Sequence, residues 1–397
     1  MKTLPAFLLA AFTALVTSAT AGEFWQRHTI DAASVDEGKQ GADGVRLGDI
    51  NQDGLPDIVT GWEEGNAIRV CLNPGAEGAK SPWPGFTVGR VKSAEDAVFA
   101  DLDGNGVLDV ITSTEGKTRT VFVHWAPSSI EDITDEALWT TEAIPATKQL
   151  QAWMFCLPHD VDSDGDTDLI LGSKSAGASV SWLENPGPEE ARKLRSWPLH
   201  HLADASWIMT LAVLESADSK SLLYSNRKGA NAGIYLIRFL DKAPWLGKPR
   251  LIGASGEEVM FIDLAHLDDD HHLDIVAAIK PGIIRVLHQP ESGPWTNSSE
   301  LEPIPGDRYG TAKAVRVADM NGDQRPDFVI TCEKADGRKH GTLMSNISSE
   351  FTNVSGPEGV KFDRIELLDL DDDGDLDIIT CEERAHLGVF WYENPLN

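Results

Sequence analysis

Apolar residues in this chain fall in short, β-branched runs that recur in a fixed order. Val45-Arg46-Leu47-Gly48 leads into an acidic turn, Ile58-Val59-Thr60 follows it, and Ile68-Arg69-Val70-Cys71 comes after a polar turn. The order repeats with Val98-Phe99-Ala100, Val110-Ile111-Thr112 and Val121-Phe122-Val123-His124-Trp125. Later third members are Val180-Ser181-Trp182-Leu183 and Ile283-Ile284-Arg285-Val286-Leu287. Runs this short, with no sustained helical period, predict strands. Pro74, Pro127, Pro186, Pro290 and Pro395 end the third strands, because proline cannot donate to a ladder. A fourth strand is predicted after each of Trp83, Trp139, Trp197, Trp245 and Trp295, with Phe351 at the sixth place. These aromatics are expected to fill the space between adjacent sheets.

The turn between first and second strands carries one pattern. Asp49, Asn51, Asp53 and Asp57 surround Gly54; Asp101, Asp103, Asn105 and Asp109 surround Gly106; Asp160, Asp162, Asp164 and Asp168 surround Gly165. Asp369, Asp371, Asp373 and Asp377 surround Gly374. Asp319, Asn321, Asp323 and Asp327 form a copy with Gln324 at the glycine's place and Gly322 two positions earlier. Asp268, Asp270 and Asp274 form another, with His266 where the first carboxylate belongs and His271 at place six. The starts at 49, 101, 160, 266, 319 and 369 give a period near fifty residues, with one copy missing. A repeat of that length signals a propeller or solenoid. Four strands per unit, seven times, predict an all-β, seven-bladed β-propeller.

The ends predict closure. The last unit stops at its third strand, Val389-Phe390-Trp391-Tyr392, while Phe24 to Ile30 carry a fourth-strand pattern with no unit of their own. The N-terminal strand is therefore expected to complete the final blade and protect its edge. In the fourth unit the ligand places fall in register on Val213, Glu215, Ala217, Ser219 and Ser221. That set cannot hold a cation.

Composition narrows the setting. Lys2, the apolar stretch Leu4–Val16 and Ala19-Thr20-Ala21 predict a leader over residues 1–21, cleaved to give a secreted or periplasmic protein without a lipid anchor. Residues 22–397 then form one propeller domain. No later stretch is apolar enough to span a bilayer. A net charge of −29 excludes nucleic acid as a partner, since phosphate binding needs a basic surface. Cys71, Cys156, Cys332 and Cys381 lie in separate repeats and strand-like runs, and are expected as buried free thiols.

Alternating carboxylates suit a hard cation such as Ca²⁺, which takes roughly six to eight oxygens at about 2.3–2.6 Å. Places 1, 3 and 5 supply side chains, place 6 turns sharply, and the last carboxylate closes the shell. The bland alternative is a solvated acidic turn, and repetition weighs against it. An EF-hand needs Glu at place 12, where this chain has Thr60, Thr112, Leu171, Ile330 and Thr380. The pattern DxDxDGxxD followed at once by a strand resembles the FG-GAP/VCBS repeat family of the integrin α-subunit type propeller. The resemblance implies about four to six bound Ca²⁺ ions, with their loops gathered on one face.

The opposite face should carry the loops after each second strand. Lys174, Arg227 and Lys280 recur there 53 residues apart, predicting a locally positive rim for an anionic ligand such as a uronic-acid polysaccharide. Trp153 and Trp207 are candidate stacking platforms for sugar rings. The leading functional expectation is a binding module for a carbohydrate or an extracellular protein. One alternative is a sugar-active enzyme, a polysaccharide lyase or sugar dehydratase with its site in the central canyon. A structural or adhesive module is another. His124, His159 and His340 are the histidines to test for catalysis, and no nucleophile elbow, phosphate loop or dinucleotide fingerprint occurs.

Overall fold

The structure is a computed structural model and describes residues 24–396 apart from 217–218, 269, 291–292 and 338. The expected leader, residues 1–21, lies outside the described residues. Seven four-stranded antiparallel sheets form seven blades. The first comprises Ala42–Gly48, Asp57–Trp62, Ala67–Cys71 and Gly85–Arg90, paired in chain order. Each acidic turn joins the innermost strand of its blade to the second. The seventh blade is built from Phe362–Leu368, Asp377–Glu382 and Gly388–Glu393, and its outer strand is Gln26–Asp31. Gln26 pairs with Glu393, and His28 with Trp391. The chain's two ends thus share one sheet, as expected.

Blade stacking explains the continuous apolar runs. Second strands such as Asp57–Trp62, Asp109–Thr114 and Asp377–Glu382 are buried along their whole length, because neighbouring sheets cover both faces. Trp83, Trp139 and Trp197 are buried as inter-sheet filler. Their indole N–H groups donate to the carbonyls of Ala79, Ile133 and Ala191, so none leaves a polar orphan. Trp245 and Trp295 are only half-buried. All four cysteines are buried and free.

The fourth blade departs from the expectation in a specific way. Its first two strands, Ile208–Ser216 and Ser219–Asn226, pair down to Ser216 opposite Ser219. Val213, Glu215, Ser219 and Ser221 are strand residues, and Ala217 lies outside the described residues. The loop has been shortened to a tight hairpin; it is not a full-length loop with its carboxylates substituted.

The innermost strands surround a central channel. Phe155 and Phe261 meet edge to face across it with centroids 5.4 Å apart. The guanidinium of Arg364 sits 5.1 Å and 4.7 Å from their ring centres. This layer separates a cavity of about 270 Å³ on the acidic-loop side from one of about 300 Å³ at the opposite mouth. Among the described residues no helix is long and apolar enough to cross a membrane.

Candidate functional site: acidic loops and the central channel

The acidic turns share one backbone path, and it has two left-handed places. Place six is left-handed at Gly54, Gly106, Gly165 and Gly374, and also at His271 and Gln324. Place four is left-handed at Gln52, Gly104, Ser163, Gly322 and Asp372. Gly322 is therefore not a displaced glycine, because it occupies the other position that favours one. The fold-back aims two backbone N–H groups at the first carboxylate. Asp53 N and Gly54 N donate to Asp49 at 3.0 Å each; Asn105 N and Gly106 N donate to Asp101 at 3.1 and 2.8 Å. Asp323 N and Gln324 N do the same to Asp319, and Asp373 N and Gly374 N to Asp369. Asp160 receives Gly165 N at 3.1 Å.

The ninth place does a second job that its spacing does not reveal. Asp57, Asp109, Asp168, Asp274, Asp327 and Asp377 are all buried. One oxygen of Asp57 accepts from Ile50 N in the loop, and the other from Asn73 N beyond the third strand. The bridge recurs at Asp109 with Leu102 and Ala126, at Asp168 with Val161 and Asn185, and at Asp377 with Leu370 and Asn394. Burial pushes the carboxyl of Asp57 up to about 6 and those of Asp109, Asp168 and Asp377 to about 7, against the pull of these backbone N–H groups.

Ligand atoms of Asp101, Asp103 and Asp109 lie within 4.8 Å of one another, as do those of Asp160, Asp162 and Asp168. At place three, one oxygen each of Asp162 and Asp371 is buried without a hydrogen-bond partner. An all-oxygen set with orphaned, buried carboxylate atoms fits a hard divalent cation. Basic side chains also reach the carboxylates at place three, Arg192 at 2.6 Å from Asp103 and Lys80 at 2.8 Å from Asp371. In the first copy the amide of Asn51 donates to Asp53 at 2.8 Å. In the sixth, Asn321 reaches Asp327 at 3.4 Å. Asp164 and Asp270 are exposed at their turns.

The fifth copy differs from its sequence reading. His266 Nδ1 lies 2.9 Å from the carbonyl of His272. His288, at the end of the third strand, instead brings Nδ1 to 2.9 Å from Asp274 and 3.2 Å from Asp268. The repeat pattern has no slot for a ligand from that strand, so His288 was not singled out.

At the opposite mouth the predicted positive rim is not formed, because each cation is tied to carboxylates across a blade boundary. Lys174 pairs with Glu95 at 3.1 Å and with Glu115. Arg227 meets Glu258 at 2.6 Å, and Lys280 meets Glu333. Lys313 pairs with Asp363, which lies beside Asp43 in the same cavity. Burial and the neighbouring Asp363 drive the Asp43 carboxyl well above its usual range. Burial also raises Glu95 to about 8, although Lys174 opposes the shift. Trp153 is fully buried, its indole bonded to Thr147 O at 3.1 Å, so it offers no ring for stacking. Trp207 does line the mouth, but Lys174, Arg227 and Lys228 lie 4.5–4.9 Å from its ring centre.

The three candidate histidines do not line either channel cavity. His124 is sealed between Thr112 and Thr141 with no exposed surface. His159 packs on Phe239, and His340 Nδ1 lies 2.9 Å from Ser355 O.

Comparison with known proteins agrees with this architecture. Residues 49–112 and 266–330 match the FG-GAP-like repeat, each segment spanning from one acidic loop into the second strand of the next blade. No curated protein matches the chain. Among solved structures, a chain in the crystal structure of BBS1N in complex with ARL6DN, soaked with mercury, aligns with a TM-score of 0.54 at 10% identity. The alignment covers 92% of this chain and 98% of that one. A second crystal of the same complex, soaked with lead, gives a TM-score of 0.53 at 9% identity, covering 92% and 97%. Identities this low speak to the fold alone. With the repeat matched twice and seven four-stranded blades closed into a ring, the chain is a seven-bladed β-propeller carrying FG-GAP-like repeats.

Proposed function

We propose that this protein is an exported, calcium-stabilised propeller that binds a protein partner through the mouth opposite its acidic loops. The observation carrying the metal reading is the unpartnered, buried oxygen at the third place of two loops, Asp162 and Asp371, with the carboxylates of Asp160, Asp162 and Asp168 converging in the first of them. Asp49, Asp53 and Asp57, Asp101, Asp103 and Asp109, Asp160 to Asp168, and Asp369 to Asp377 would hold the ions of the first, second, third and seventh blades. The fifth and sixth loops offer poorer sets. Bound Ca²⁺ would supply positive charge to offset these carboxylates.

A protein partner is favoured over a carbohydrate by the mouth itself. Its cations are already paired and the ring of Trp207 is already flanked by three of them. That leaves a mixed-charge surface with little free aromatic face. BBS1N, which shares the fold, was solved in complex with ARL6DN. The enzyme alternative keeps one supporting feature, since Glu95 and Asp43 are carboxyls with raised pKa inside a cleft, the kind of perturbation functional sites show.

Chelation tests the metal reading. A site filled at a hundredfold over its dissociation constant adds about 2.7 kcal/mol, so several sites should shift the melting temperature by many degrees. An identical melting curve in excess chelator and in calcium ends it. Acidic polysaccharides, followed for binding and for the absorbance of new unsaturated uronates, separate the alternatives. Binding without product would restore the carbohydrate reading, and product would establish the lyase.

A further inference from the structure

Three arginines project into the channel cavity on the acidic-loop side, and two of them are neutralised. Arg46 forms a two-pronged pair with Asp96 at 3.0 and 2.9 Å. Arg316 bonds Asp263 at 2.8 Å and Glu366 at 2.7 Å. Arg364 has no such partner. It is 92% buried, being 8% exposed, and its Nε is buried without a hydrogen bond. Among the described residues no carboxylate pairs with its guanidinium, whose contacts are the faces of Phe155 and Phe261.

An unpaired buried cation is among the costliest groups a fold can carry. Burial first, then the charge of Arg46, lower the Arg364 pKa to about 9, although Asp96 and Glu366 nearby oppose the shift. The cavity beside it holds about 270 Å³ and, apart from the three arginines and Thr210, is walled by apolar side chains, among them Leu157, Val213, Ile262, Val315 and Ile365. An aliphatic wall with one unsatisfied guanidinium is complementary to an apolar body carrying one anionic head. The planar fork of arginine matches the two oxygens of a carboxylate.

We propose that this half of the channel is a binding site for a small organic carboxylate with an apolar body, held by Arg364 and enclosed by the aliphatic walls of the innermost strands. The site is separate from the opposite mouth and does not depend on the proposed function above.

The test uses the full mature chain in excess calcium, titrated calorimetrically with butyrate, hexanoate and benzoate, and with hexanamide as the uncharged counterpart. A ligand of about eight heavy atoms should reach at least roughly millimolar affinity. Hexanoate or benzoate is expected to bind at least tenfold tighter than hexanamide. Arg364→Met is expected to abolish binding while raising the melting temperature of the ligand-free protein, since it removes a buried cation that no carboxylate bonds directly. Val213→Phe fills the cavity, leaves the guanidinium in place, and is expected to abolish binding too. The proposal is overturned if no carboxylate binds the wild type up to about 10 mM. It is equally overturned if hexanamide binds as tightly as hexanoate, or if binding survives Val213→Phe. Chelator sensitivity of the fold bears on the calcium reading and on nothing here.

Discussion

Acidification should separate a sealed histidine from an accessible one at His124. Its ring bonds Thr112 Oγ1 at 3.0 Å and Thr141 Oγ1 at 2.8 Å, and a Cβ added at Gly89 would lie only 2.0 Å from Nδ1. Burial lowers its pKa from 6.5 to about 3. A pKa depressed on folding means that the unfolded chain binds the proton first, so the stability His124 contributes is present above pH 6.5 and lost as pH falls toward 3. The full span of 3.5 units is worth about 5 kcal/mol at 1.36 per unit. At pH 5 the unfolded side chain is almost fully protonated and the folded one is not, a loss of about 2 kcal/mol. Many other groups titrate in the same interval, so the measurement must be a difference. His124→Asn keeps a hydrogen-bonding side chain that does not titrate. Its fixed packing cost makes it less stable than wild type near neutral pH. Urea unfolding of both proteins in excess calcium should show that gap shrinking by about 2 kcal/mol between pH 7.5 and pH 5. Parallel curves would refute the reasoning. They would mean that His124 takes up its proton in the folded state near its ordinary pKa and is open to solvent.

Two further changes test how blades and turns are held. Lys313→Met removes the cation bonded to Asp363 and leaves it beside Asp43 with only Lys361 near among the described cations, and should cost about 3–5 kcal/mol in denaturant melts; a loss below about 1 kcal/mol would show the pair to be solvated. Gln324 holds a left-handed conformation with φ of 63°, so Gln324→Gly should stabilise by about 0.5–1 kcal/mol, read as a small rise in melting temperature, with a fall counting against that backbone path.

Much of the fold was legible because it is local and repeated. Acidic turns, strand runs and terminal prolines each state their place in a blade, and their repetition corrects the errors of any one copy. The closing strand was legible because Phe24 to Ile30 had a pattern and no unit. Other features depend on contacts between blades, and no local period encodes those. Lys174, Arg227 and Lys280 recur as a series, yet each meets a carboxylate on an adjoining blade, so a rim of free charge became a ring of ties. The same blindness hid His288, which enters the fifth loop from a strand beyond the motif. It also hid Arg364, whose distinction is the absence of a partner. The fourth blade misled for a different reason. A fixed register assumes equal lengths, and here Ser216 pairs with Ser219 where the first blade runs from Gly48 to Asp57 between its strands.

The pairing of Gln26–Asp31 with Gly388–Glu393 has a consequence in time as well as space. His28 and Glu393, in contact at 2.6 Å, are 365 positions apart, so an early-made strand must wait for a much later one before it finds its partner. Until that meeting the nascent array has two raw edges, each a template for unwanted pairing. The circle locks only once Gly388–Glu393 has been made, and opening it afterwards means peeling a whole strand at once.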